Sequence, residues 1–226
     1  VNLLTSWLFD PTNWSGSTGV PARLLEHLWY TALALVIAVV IGFPLGALVG
    51  HTKRGGFALV GAANVLRALP TVGVLTLVVL LAGIGLVPPI AALTLLAIPP
   101  IMAGAYAGIQ AVEPVVVDAA RGVGMRESEI LFQVEIPNAM PLIFGGIRSA
   151  ALQVVATATI AAYVGLGGLG RYVFDGLALH DYPQMAGGAS LVAVLAVLVE
   201  LVLTGVQRLV VSPGLRPVRT SGGIQK

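Results

Sequence analysis

Residues 68–112 read ALPTVGVLTLVVLLAGIGLVPPIAALTLLAIPPIMAGAYAGIQAV, and none of them is Asp, Glu, Lys or Arg. About 20 apolar residues in a helix cross the roughly 30 Å hydrocarbon core of a bilayer. This run is too long for one crossing and suits two, with a break at GIGLVPP (83–89), where Gly and Pro favour a turn. Outward from it, uncharged runs cover Leu28–Gly50, Ser149–Gly170 and Tyr182–Val199, the last expected to continue past Glu200 towards Arg208. The reading is an all-α, polytopic membrane protein with about five transmembrane helices and its termini on opposite sides. Composition agrees: 57% of residues are hydrophobic and 10% charged, against about 25% charged in soluble domains. So few charges cannot cover a soluble surface, and the same balance excludes a disordered chain.

Other classes fall away on residue content. The chain has no Cys, so disulfides, thiolate metal sites and a Cys nucleophile are ruled out. His27, His51 and His180 are far apart and suggest no metal site. A net charge of +2 with dispersed basic residues gives no footprint for nucleic acid. There is no Ser-His-Asp set or HExxH motif, so an enzyme is not expected. Residues 1–21 lack the basic start of a signal peptide. Trp7 and Trp14 suggest an extracytoplasmic segment at the membrane interface, with a disordered leader as the alternative.

The positive-inside rule orients the spans. With the N-terminus outside, the cytoplasmic side holds Lys53, Arg54, Arg121, Arg126, Arg148, Arg208, Arg216, Arg219 and Lys226, and the other side only Arg23 and Arg171. Arg67 is left near the inner end of the second span, where it can snorkel. Gly42, Gly46 and Gly50 mark one face of the first span, and Gly104 and Gly108 one face of the third, as close helix packing in lipid requires. Pro44, Pro70, Pro99 and Pro100 are expected to kink their helices.

Residues 113–137, EPVVVDAARGVGMRESEILFQVEIP, carry seven of the chain's 22 charged side chains. A plain connector needs only a few residues. Val115–Val117 with Ala119 and Ala120 suggest a helix, Gly122 and Gly124 a turn, and Glu127–Val134 a second helix that Pro137 stops. The pattern describes a docking surface beneath the membrane, with an amphipathic hairpin lying on lipid as the plain alternative. Glu113, Asp118, Glu127, Glu129 and Glu135 disfavour an anionic leaflet as its main partner.

This loop resembles the EAA motif of ABC importer permeases, E-A-A, three residues, G, nine residues, I-x-L-P. Here it falls on Asp118-Ala119-Ala120, Gly124, Val134, Ile136 and Pro137 with the spacing kept and Asp, Val and Ile as conservative replacements. The resemblance implies the type I, methionine-permease-like fold. It also implies an ATPase-coupling role for Asp118, Ala119, Ala120, Arg121, Gly124, Val134, Ile136 and Pro137 within a loop of about 113–140. The implied partners are two ATP-binding subunits, a second identical or similar permease, an extracytoplasmic solute-binding protein and the lipid of a bacterial inner membrane. This chain lacks a G-x-x-x-x-G-K-[ST] loop, and Gly165–Gly170 follows a membrane helix with no Lys after it, so ATP and Mg belong to the partner and no cofactor is expected here.

AYVGLGGLGRYVFDGL (162–177) and LEHLWYTALALVIAVVIGFPLGALVGHTKR (25–54) are similar to the osmoprotectant permeases, which handle glycine betaine, choline, carnitine and related solutes such as proline. The domain so implied covers 22–211, with a cytoplasmic tail at 212–226. The alternatives are a permease for another small solute such as methionine, which shares Gly-Gly-Leu-Gly, and a stand-alone secondary transporter. A quaternary ammonium is held by aromatic faces. Tyr163, Tyr172 and Phe174, near the outer end of the fourth span, are therefore candidates to line the solute path, and an interfacial aromatic belt reads the same. Asp175, His180, Asp181 and Tyr182 fall in the outer loop, and Glu200 in the inner third of the last span.

Overall fold

A computed structural model describes residues 2–212 together with Gly214. Apart from Ser212 and Gly214, the tail expected at 212–226 lies outside the described residues. The order is α1 (Asn2–Leu8), a 3₁₀ turn (Pro11–Trp14), α2 (Val20–Thr52), α3 (Gly56–Ala68), α4 (Thr71–Ala82), α5 (Val87–Gln110), α6 (Pro114–Gly122), α7 (Glu127–Ile130), α8 (Ile136–Ala161), α9 (Gly170–Leu179) and α10 (Tyr182–Val210). No strand occurs among the described residues.

Glycine determines how the long helices meet. On α2, Gly42 lies against Ile98 and Ile101, Gly46 against Met102 and Ala105, and Gly50 against Tyr106 and Ile109. A Cβ on Gly50 would stand 2.8 Å from the Cβ of Ile109, so these backbones touch because side chains are absent. Contact positions rise together along both chains, so α2 and α5 run parallel. On the other side of α5, Gly108 meets Ala139 and Gly146 meets the Pro100 carbonyl, so α8 runs antiparallel to α5. Gln207 on α10 donates to the Pro141 carbonyl at 3.3 Å and Arg148 on α8 bonds Glu200, so α10 runs back again. The central helix is α5, with Ala92, Leu93, Ala97 and Ile101 fully buried.

Two parallel helices in succession need a return crossing between them, and α3 with α4 supplies it. These helices of 13 and 12 residues are bent by 88° at Leu69–Pro70. At 1.5 Å per residue the bent pair reaches about 27 Å end to end, enough to cross most of the core. Five crossings result, four as single helices and one as the bent pair. The second span therefore begins at Gly56, earlier than the uncharged run suggests, and Arg67 sits beside the bend in mid-span. Leu69 is extended (ψ 134°), the conformation that the ring of Pro70 favours in the residue before it. The other internal prolines, Pro44, Pro99, Pro100 and Pro141, lie inside helices that continue through them.

Three further differences concern boundaries. The first span starts at Val20, ahead of Leu28. Residues 170–179 form α9 where a loop is expected. Pro137 stops no helix: α7 passes through a π turn (Leu131–Glu135) into α8, and Pro137 sits in the first turn of α8. The wider π turn takes up the ring and the missing N–H of Pro137, and Asn138 Nδ2 donates to the Val134 carbonyl at 2.7 Å. Arg148, counted above on the cytoplasmic side, thus lies well inside a span.

Candidate functional site

At the end of the bundle where α2 and α5 finish, α6 and α7 form a hairpin. Residues 114–122 favour a helix because Pro114 presets its first turn and Ala119 and Ala120 follow. It ends in a Schellman motif: Gly124 N–H donates to the Arg121 carbonyl (2.9 Å) and Met125 N–H to the Ala120 carbonyl (3.2 Å). Gly124 has φ +87°, which only glycine adopts freely, so the turn read from the sequence has a backbone cause. The second arm starts where Glu129 accepts from Arg126 N–H at 2.8 Å.

Inside the hairpin, Val117, Ala120 and Ile130 pack together, with Met125 and Val134 against them. Ala120 is therefore an internal packing residue, while Ala119 points out. Val134 and Ile136 are half-buried, and Pro137 is exposed. The outer face carries Asp118, Ala119 and Arg121, with Val115, Val123 and Phe132 at 76%, 81% and 66% exposure. These three apolar side chains were missed by the motif; their signal was a helix apolar on more positions than its own hairpin can cover.

Electrostatics hold the hairpin to the first span. Arg121 donates to both oxygens of Glu127 (2.8 and 3.0 Å) and approaches Asp118 at 3.4 Å. That hydrogen bond holds the Glu127 carboxyl below its ordinary range and raises the Arg121 guanidinium. His51, in the last turn of α2, bonds the buried Glu135 at 2.5 Å through Nδ1 and lies 3.4 Å from Glu127 through Nε2. Gln110 on α5 donates to the Gly50 carbonyl at 2.7 Å. The hairpin is thereby joined to the ends of α2 and α8. The distance in sequence between His51 and Glu135 hid this contact.

At the opposite end, the glycine string is a structural turn. Gly165 and Gly168 have φ +93° and +88°, Gly168 N–H donates to Glu26 at 2.8 Å, and a Cβ at Gly168 would meet the ring of His27. Tyr163 (67% exposed) and Phe174 stand 5.5 Å apart between ring centroids. Tyr172 lies elsewhere: its ring meets Trp7 edge-on at 4.9 Å and its hydroxyl donates to the Thr18 carbonyl at 2.7 Å. Trp7 is itself buried, so the N-terminal segment docks on α9 and α10. Asp175 pairs with Arg171 at 2.7 Å, and Asp181 accepts from Gln184 N–H at the start of α10. His180, at φ +58°, ends α9.

Comparison with known proteins bears on what this architecture serves. Against solved structures, the fold is similar to the inward-facing MetNI methionine ABC transporter, with a TM-score of 0.78 at 22% identity over 90% of this chain and 99% of that one. A second likeness is to an amino acid ABC transporter, with a TM-score of 0.65 at 23% identity over 84% and 91%. In sequence, the chain is 36% identical to the glycine betaine/carnitine/choline transport system permease protein OpuCB of Bacillus subtilis over 86% of its length and 89% of the relative's. It is 34% identical to the osmoprotectant import permease protein OsmW of Salmonella typhimurium over 84% and 91%. Residues 38–216 match one family across all the crossings after the start of α2. The five-crossing chain belongs to the binding-protein-dependent transport system inner membrane components.

Proposed function

We propose that this chain is one of two permease subunits in an ATP-driven importer of osmoprotectants, the quaternary amines named for its relatives. A separate ATPase, holding ATP and Mg, docks on the α6–α7 hairpin through Asp118, Ala119, Arg121 and the turn at Gly124. Ala120, Val134, Ile136 and Pro137 hold that surface in shape from within and from the start of α8. The observation that carries this reading is the uncovered apolar face of Val115, Val123 and Phe132 on an otherwise charged hairpin outside the bundle. Such patches mark a protein or membrane contact, and the acidic residues around this one favour a protein over an anionic leaflet.

The hairpin end faces the cytoplasm and the N-terminal segment with α9 faces outward. With Arg148 moved into the membrane, the basic residues still divide eight to two in that sense. A loaded solute-binding protein meets the outer end around Asp175 and His180. Tyr163 and Phe174 offer aromatic faces at the entrance, while Tyr172 fixes the N-terminal segment beside them.

Reconstitution of the whole complex with its solute-binding protein tests the reading. ATP-dependent uptake of labelled glycine betaine, carnitine or choline is expected, with methionine left behind. Uptake of methionine alone would overturn the solute class, and uptake without ATP the importer class.

A further inference from the structure

Arg148 and Glu200 form an ion pair far from either end of the bundle. By helix rise, Arg148 lies about 18 Å from the start of α8 and Glu200 about 15 Å from the end of α10, so both stand well inside their spans. The guanidinium donates to both Glu200 oxygens, by Nη2 to Oε1 and by Nε to Oε2 at 3.3 Å. Its Nη1 donates to Gln207 Oε1 at 2.9 Å, and Thr204 Oγ1 lies 3.5 Å from Glu200. The two side chains keep 29% and 31% of their surface exposed, so the pair is at the surface of the subunit and not in its core.

Ionised groups inside a membrane face a protein or water-filled interior in preference to lipid. Helix geometry agrees. On α10, Leu191, Leu195, Leu198 and Val202 line an apolar groove against α2 and α8. Glu200, Thr204 and Gln207 recur at helical spacing on the opposite side. On α8, Leu142, Gly145, Ser149 and Ala156 form an exposed face next to Arg148, and Tyr163 lies one short 3₁₀ turn beyond its upper end. The polar side chains of α10 thus gather on the side away from Leu195 and Leu198, with the exposed Val197 beside them.

We propose that Arg148 and Glu200 form a solute site within the membrane, open to the translocation path, that takes a zwitterion carrying a quaternary ammonium and a carboxylate. This rests on the reading of the chain as an osmoprotectant permease. In a site of low dielectric a closed ion pair has no net charge. A zwitterion inserts by placing its carboxylate on Arg148 and its ammonium on Glu200, so both charges stay compensated throughout. A solute with only an ammonium occupies Glu200 and strands Arg148, and its binding is weaker for that reason.

The chain's lack of cysteine makes the test direct. Single cysteines replace Ser149 and, as the lipid-side control, Leu198, in the assembled complex in vesicles, and labelling of this chain by a charged quaternary-ammonium thiosulfonate is followed. Ser149→Cys is expected to react about tenfold or more faster than Leu198→Cys, and glycine betaine with ATP and the binding protein is expected to slow it. Equal rates at the two positions would overturn the site. In parallel, the double variant Arg148→Gln/Glu200→Gln keeps polar side chains and removes both charges. Its apparent KM for glycine betaine is expected to rise about tenfold while that for choline moves less. Unchanged KM for glycine betaine at normal abundance would overturn the charge role. If wild-type complex carries neither solute, the osmoprotectant reading fails, and the labelling ratio still decides whether the pair faces water.

Discussion

Gly124 shows how one residue links backbone geometry to transport. At φ +87° an L side chain costs about 1–2 kcal/mol, and a β-branched one more. Among the described residues, no atom apart from its chain neighbours lies within 4 Å of where its Cβ would be, so the space there is open to a partner. Gly124→Val should leave membrane abundance close to normal, because the turn lies outside the spans, and reduce uptake severalfold. Gly124→Asn, which tolerates left-handed angles, should restore most of it. Immunoblots of membranes beside uptake measurements check both, and full uptake by Gly124→Val would contradict a role for the turn. This position was readable from sequence because only glycine suits such a turn. The division of labour between Ala119 and Ala120 was not. Which alanine faces out depends on the rotation of α6, and that rotation is set by Ile130 on the other arm.

At the scale of elements, the tightest joint is the face of α2 on α5. A Cβ at Gly46 would press on the Met102 carbonyl and come within 2.9 Å of the Ala105 Cβ. Overpacking of this kind costs about 1–3 kcal/mol. Gly46→Leu should therefore lower the amount of folded permease in the membrane and its melting temperature in detergent, whereas Gly61→Leu, with open space around it on α3, should change neither. Equal abundance of the two variants would argue against the close approach. The glycine spacing announced this joint in advance. The bent crossing was harder to see, because Arg67 ends the uncharged run and hides the helix before it; Pro70 was the cue, since proline disfavours helical angles in the residue before it. The π turn before Pro137 left no mark in the pattern, and Pro137 read instead as a terminator.

For the whole molecule, the organising feature is the path from hairpin to membrane interior. Arg121, Glu127, His51 and Glu135 tie the hairpin to the end of α2, and the π turn leads from it straight into α8. α8 in turn carries Arg148 to Glu200. The spans and the hairpin were legible from charge-free runs and from one dense cluster of charge. The links between them were not, because His51 and Glu135 lie 84 residues apart and Arg148 and Glu200 lie 52 apart, and only the fold brings them together. On the proposed function, ATP-driven motion enters through the outer face of α6. Ala119 is exposed there and lies outside the cluster that packs the hairpin. The decisive measurement is ATP-driven uptake per membrane-inserted permease for Ala119→Trp, with retention of the ATPase followed in the same preparation. The expected result is normal insertion with uptake reduced about tenfold or more and the ATPase lost or uncoupled; normal uptake with the ATPase retained would contradict docking at this face.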